Sequence, residues 1–159
     1  MILGIDPGQS GGLAFIAPDG LATTGLITAV KMPETERDIF LLIYERHIRF
    51  AIIEKVGPAR GKNEDGSSRK QGVSSAFTFG QSYGFLRGLL VALEIPFQEV
   101  HPLTWQREFG LIVRGAKLTQ TQRKNRNKQK AENLFPDMKI THAIADALLL
   151  AEYGRRIGK

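Results

Sequence analysis

The sequence predicts an α/β domain built around a mixed five-stranded sheet with helices on its flanks. Three short apolar runs follow one another at the start of the chain, divided by turn signals. Helical and strand-like patterns then alternate as far as Phe109, and two longer helical patterns close the chain. At 159 residues it fits one domain, 1–159, with no internal repeat and no linker, since domains run to roughly 100–200 residues. A chain of that length buries about two-thirds of its unfolded surface, so its core needs no covalent staples.

Met1–Asp6 is an apolar run that ends in Asp6-Pro7-Gly8, a turn signal. Gly12–Ala17 is the second run, closed by Pro18-Asp19-Gly20, and Leu21–Met32 is the third, weakened by Gly25. Their close spacing predicts an antiparallel meander. Pro33–His47 reads as a helix with Ile39, Leu42, Ile43 and Arg46 on its buried side. Phe50–Ile53 is a compact β-branched strand that ends on Glu54.

Gly57–Gly72 mixes glycine, serine and charges of both signs without periodicity, which predicts a long loop of the functional or disordered kind. Val73–Leu93 reads as a helix in which Gly80, Gly84 and Gly88 line one face, a spacing that permits another backbone to come close. Phe97–Val100 is the last strand, and Leu103–Phe109 a short helix opened by Pro102. Gln120–Phe135 is a polar helix, and Thr141–Ile157 an amphipathic one with Ala145, Leu148, Leu149 and Ala151 as core candidates.

The chain has no cysteine, which excludes disulfides and thiolate metal sites. Any metal must therefore be bound by carboxylate, imidazole or water. No basic segment precedes the first apolar run, and no apolar stretch nears the ~18 residues of a membrane span. The expectation is a soluble, unsecreted, cytoplasmic protein with no membrane partner. The net charge is +6. Arg107, Arg114, Lys117, Arg123, Lys124, Arg126, Lys128 and Lys130 stand close together against Glu108 alone. Such clustering suits a polyanion, whose neutralised phosphates release counterions. A solvated helix face would look the same by charge alone.

Three carboxylates stand where strand ends and a helix can converge. Asp6 closes the first strand, Glu54 closes the fourth, and Asp146 sits among Ala145, Ala147 and Leu148. A charge ending an apolar strand is costly to bury unpaired. One instance would be a strand surfacing into solvent, but two strand ends plus Asp146 suggest a shared cation. Two magnesium ions ~3.5–4 Å apart can clamp both oxygens of a phosphodiester displacement. Magnesium keeps several waters, so three or four protein ligands suffice. His142 lies four residues before Asp146, on the same helix face. It could bind a metal, move a proton or cap the helix.

Five segments then stand in order: Gly4–Gly12, Ala51–Val56, Ala76–Gly84, Val100–Gln106 and His142–Leu148. They read GIDPGQSGG, AIIEKV, AFTFGQSYG, VHPLTWQ and HAIADAL, and together span nearly the whole chain. In that order they resemble the motifs of the RuvC family of Holliday junction resolvases, its short phage-like members in particular. The resemblance implies a ribonuclease H-like fold and a metal-dependent crossover junction endodeoxyribonuclease. Asp6, Glu54 and Asp146 would hold two Mg2+ ions, or Mn2+, with His142 assisting. It further implies a homodimer that nicks four-way DNA junctions symmetrically, leaving 5′-phosphate and 3′-hydroxyl ends, in a prokaryotic or phage-infected cell.

On this reading Lys117, Arg123, Lys124, Lys128 and Lys130 grip the phosphate backbone. Arg60, Lys62, Arg69 and Lys70 of the long loop add to them, and Val73–Leu93 is the expected dimer face. The chain departs from the family at two points. Many members carry an acidic or histidine ligand three residues before the last aspartate, where this chain has Ala143, and His142 is the nearest replacement. Some carry a base-stacking aromatic three residues after the glutamate, where this chain has Gly57. The loop is then left to hold phosphates, or Phe77 and Phe79 to stack on bases, with core packing the commoner job for both. A RuvX-like nuclease of RNA maturation and a non-catalytic branched-DNA-binding module share parts of the pattern. The basic C-terminal helix and the Phe77–Gly84 segment speak against the first, and carboxylates that would repel DNA speak against the second.

Overall fold

The computed structural model describes residues 1–18, 27–55, 57, 72–113, 115 and 118–158. β1 (Ile2–Asp6), β2 (Gly12–Ile16) and β3 (Ile27–Lys31) form the expected antiparallel meander, with Ile2 opposite Ile16 and Gly12 opposite Lys31. β4 (Phe50–Glu54) and β5 (Phe97–Val100) join in parallel on the other side of β1. The strand order is β3-β2-β1-β4-β5, the mixed five-stranded sheet of the sequence reading. Five helices accompany it among the described residues: α1 (Glu36–Tyr44), α2 (Val73–Ala92), α3 (Pro102–Glu108), α4 (Gln120–Leu134) and α5 (His142–Arg156).

Side chains alternate across a strand, so each face of the sheet builds its own core. Leu3, Ile5, Leu13, Phe15, Ala51 and Ile53 pack with Ile39 and Ile43 of α1 and with Leu86, Leu89 and Leu90 of α2. Ala14, Ile16, Ile52 and Val100 pack on the opposite face with Trp105 of α3, Ala131 of α4 and the apolar residues of α5. Gly4 and Ile52 belong to the α5 face. By the same period of two, Asp6 and Glu54 end their strands on that face as well.

α5 lies very close to the sheet. A Cβ on Gly4 would stand 2.1 Å from the Ala147 carbonyl oxygen and 2.4 Å from the Ala151 nitrogen. One on Gly12 would stand 2.7 Å from the Ala143 carbonyl oxygen. Ala143, Ala147 and Ala151 recur every four residues and so share one face of the helix. Small residues on both partners let the two backbones meet.

Several boundaries differ from the sequence reading for identifiable reasons. α1 starts at Glu36 rather than Pro33 because Thr35 is extended and accepts a hydrogen bond from the Asp38 N–H at 3.1 Å, an N-cap. Arg46 lies beyond the end of α1, yet its guanidinium still covers the Phe15 ring at 4.5 Å, on the buried side as expected. α4 opens on a reciprocal capping box between Thr119 and Gln122. The first part of the expected Leu21–Met32 run and nearly all of the Gly57–Gly72 loop fall outside the described residues.

One expectation for α2 needs correction, that for Phe77, and the glycine ladder meets no partner among the described residues of the protomer. No other part of the described chain approaches the glycine ladder, since a Cβ on Gly80, Gly84 or Gly88 would meet nothing within 4 Å. Phe77 is not core: it is 67% exposed, because only the C-terminal part of α2 reaches the sheet through Leu86, Leu89 and Leu90. Phe79 is half-buried and stacks on Tyr83 with ring centroids 6.5 Å apart. Among the described residues no helix is long and apolar enough to cross a membrane.

These contacts predict opposite outcomes for two glycine substitutions. Gly4→Ala forces a methyl group into backbone and should destabilise by roughly 3 kcal/mol or more. Gly84→Ala adds a methyl group that meets nothing among the described residues of the protomer and should stabilise the isolated protomer by about 0.5–1 kcal/mol. Thermal denaturation of both variants checks the pair, and a wild-type melting temperature for Gly4→Ala would refute the close approach.

Candidate active site

The parallel pairing of β1 with β4 brings two strand ends together. Ile5 stands opposite Ile53, and one further step along that register sets Asp6 beside Glu54. α5 crosses the same face and places Asp146 over them, one residue before the Ala147 that touches Gly4. All three carboxylates are half-buried. Their burial is visible in their acidity. Burial, and then the charge of Asp146, raises the Asp6 pKa to about 6, against a smaller opposing pull from the Gly8 N–H and Lys124. Burial, and then the charge of Asp6, raises Glu54 to about 8. Asp146 is raised by burial, opposed by Asn127, Lys124 and His142.

No cationic side chain among the described residues forms an ion pair with any of the three. Glu152, two turns further along α5, shows what compensation looks like. It is buried and bound by Arg155 at 2.7 Å and Arg156 at 2.8 Å, and those two partners outweigh burial to lower its pKa. Asp6, Glu54 and Asp146 instead have neutral donors. The Trp105 indole Nε1 donates to Glu54 Oε1 at 3.0 Å. Asn127 Nδ2 donates to Asp146 Oδ1 at 2.8 Å. The Gly8 N–H reaches Asp6 Oδ1 at 3.4 Å.

His142 is the first residue of α5 and is exposed. Its Nε2 meets Asn125 Oδ1 at 2.9 Å. With that nitrogen donating, Nδ1 is left as the basic one.

Of the basic residues expected to bind phosphate, Arg60, Lys62, Arg69, Lys70 and Lys117 lie outside the described residues. Arg123, Lys124, Lys128 and Lys130 all lie on α4 but are not equivalent. Lys124 is exposed and acts on both Asp6 and Asp146. Arg123 is turned back onto the Leu118 carbonyl at 3.0 Å, and Lys128 is paired with Glu132 at 3.4 Å. Arg123 and Arg126 also line a cleft of about 390 Å³ whose walls include Leu103, Ile112 and Val113.

The donor set suits a hard cation, since it offers carboxylate oxygens and no sulfur. Among the described residues no three acidic or histidine side chains already close into a cage for one ion.

With this geometry in view, the solved structures supply a comparison. Thermus thermophilus RuvC in complex with a Holliday junction substrate superposes with a TM-score of 0.61 at 14% identity, over 99% of this chain and 96% of that one. A second Thermus thermophilus RuvC structure gives 0.60 at 14% identity over the same shares. The fold is that of RuvC. No protein-family model matches the chain, and no curated protein does.

Sequence reading missed Asn125 and Asn127, which have no signal of their own inside a polar helix. Trp105 had one. It is the sole tryptophan of the chain, set in a short helix directly after the last strand. A buried indole N–H needs an acceptor.

The raised carboxylates predict how stability depends on pH when metal is chelated. Both groups hold protons more tightly folded than unfolded, so this contribution is complete at acid pH and is lost as pH rises through about 6 and about 8. In EDTA the melting temperature should fall between about pH 5 and about pH 8.5. Glu54→Gln should flatten that fall and exceed wild type at the alkaline end. Parallel melting profiles of the two proteins would contradict the assignment.

Proposed function

We propose that the chain is a metal-dependent endonuclease that nicks four-way DNA junctions symmetrically and leaves 5′-phosphate and 3′-hydroxyl ends. The observation that carries this reading is the set Asp6, Glu54 and Asp146, gathered on one face of a RuvC fold with no cationic side chain among the described residues paired to any of them. A protein that merely bound DNA would gain nothing from three carboxylates whose charge opposes phosphate.

Asp6, Glu54 and Asp146 would hold two Mg2+ ions, with Mn2+ as a substitute. Cations held there would supply charge stabilisation to the phosphodiester displacement. The chain's own residues do the rest. Lys124, already acting on Asp6 and Asp146, would meet the phosphate of the strand being cut. His142, tied through Nε2, offers Nδ1 to a proton or a cation. Arg126 and Lys130 extend the basic surface along α4.

Thermus thermophilus RuvC has been seen with a Holliday junction substrate, which makes a four-way junction the first substrate to test. A two-fold junction suits a homodimer with two symmetric sites. The open glycine stripe of α2, with exposed Phe77 and Val91, supports that helix as the dimer face.

Asp6→Asn keeps the size of the side chain and removes one charge from the cluster. Single-turnover nicking of a synthetic junction in Mg2+ should fall by several orders of magnitude with the fold retained. Binding in EDTA should persist or tighten, because one repulsion with phosphate is gone. Adding Asp146→Asn should cost little more, as for residues that act as a unit. Near wild-type nicking by Asp6→Asn would sink the nuclease reading.

The α4 cations should separate in a salt titration. Lys124→Glu should weaken binding of every DNA substrate and reduce the slope of log K against log salt by about 0.9 for each phosphate that it ceases to neutralise. Lys128→Glu should do less, because Glu132 already offsets Lys128. Equal effects, or none, would show that α4 does not present its charges to DNA in this way.

A further inference from the structure

Asn127 is one of two buried polar or charged residues among those described, the other being Glu152 with its two arginines. Asparagine is a poor helix former, and burying its amide has a cost unless the amide is hydrogen-bonded. Its one hydrogen bond among the described residues goes to Asp146 Oδ1 at 2.8 Å. Trp105 is fully buried, and its indole N–H goes to Glu54 Oε1 at 3.0 Å. No hydrogen bond among the described residues engages Asp146 Oδ2 or Glu54 Oε2.

Two elements, α3 and α4, thus each send one neutral N–H donor to one oxygen of one carboxylate. The neutrality matters. An arginine, as at Glu152, would fix the carboxylate and also cancel the charge that a cation needs. An amide or indole N–H fixes the rotamer and leaves the charge in place.

We propose that Asn127 and Trp105 are positioning residues for metal binding, each holding one oxygen of Asp146 or Glu54 so that the second is kept for the cation. The proposal rests on the nuclease reading above. Outer hydrogen-bond partners of metal ligands typically contribute 10–100-fold in affinity. It follows that α4 joins the acid site through Asn127 while it carries the basic surface on its exposed side.

The test is calorimetric titration of Mn2+ into wild type, Asn127→Leu, Asn127→His and Trp105→Phe, with melts in EDTA to establish that each is folded. Asn127→Leu keeps much of the volume and removes the donor. Asn127→His returns an N–H at similar reach. Trp105→Phe removes the indole N–H and tests the second donor if Asn127→Leu does not fold. As the sole tryptophan, Trp105 also gives an optical reading, since its emission should change when Glu54 takes up a cation.

Mn2+ affinity should fall about 10–100-fold in Asn127→Leu and Trp105→Phe, and Asn127→His should recover most of the loss. The emission change of Trp105 in Asn127→Leu should move to correspondingly higher metal concentration. A purely structural role would lower the melting temperature and leave the affinity of the folded protein alone. Folded variants that bind Mn2+ like wild type, while wild type binds Mn2+ and nicks junctions, overturn the positioning role alone. Wild type that does neither removes the nuclease reading and this proposal together.

Discussion

Two backbones meet where α5 crosses β1 and β2, and they can do so because Gly4 and Gly12 face Ala147, Ala151 and Ala143. Any side chain on the sheet at those points would lift the helix away. Interiors pack at the density of organic crystals, so such a displacement has no slack to absorb it. Asp146 is fixed to the same turn of α5 and would rise with it, away from Asp6 and Glu54. The constraint that makes the α5 core is therefore also the one that makes the site. The long apolar sequence of α5, buried from Ala147 to Gly154, holds the helix in that place.

Once α5 is seated, the electrostatics of the site follow. Burial raises the proton affinity of all three half-buried carboxylates, and the charge of Asp146 adds to it at Asp6 and Glu54. Lys124, which opposes the rise at Asp6 and Asp146, is exposed and forms no ion pair with them. An arrangement of this kind is unfavourable for folding by itself, because an uncompensated buried charge costs free energy. The same helix satisfies Glu152 with two arginines, so the lack of compensation at Asp146 is specific to that end of α5.

Much of this was legible in the sequence because short apolar runs bounded by turn signals mark buried strands. The runs ending on Asp6 and Glu54 set both residues at strand ends, while their common face follows from the β1–β4 pairing and the contacts of Gly4 and Ile52 with α5. The glycine ladder of α2 was equally visible, yet the structure turns it outward, since spacing says that a backbone can approach and not which one. Phe77 illustrates the same limit: an aromatic in a helix reads as core, but α2 is longer than the sheet it packs on, and Phe77 lies beyond the contact. Asn127 was invisible for a different reason. Within a run of lysine, arginine, glutamine and asparagine, the one side chain that turns inward is chosen by where α4 lands on α5. That is a tertiary fact with no local signature.

α4 departs most from ordinary helix packing, and its chemistry explains why. Beyond Asn127, the one residue of α4 buried outright is Ala131, so hydrophobic burial of about 25 cal/mol per Å² supplies little to hold it. What joins it to α5 includes the Asn127–Asp146 and Asn125–His142 hydrogen bonds, at 2.8 and 2.9 Å. A helix fastened by polar contacts to the acid site is sensitive to the charge state of that site. Drawing Asp146 toward a cation would pull on Asn127, and a phosphate held by Lys124 would press on the same helix from outside. α4 thus carries both the exposed Lys124 and the buried Asn127 that donates to Asp146.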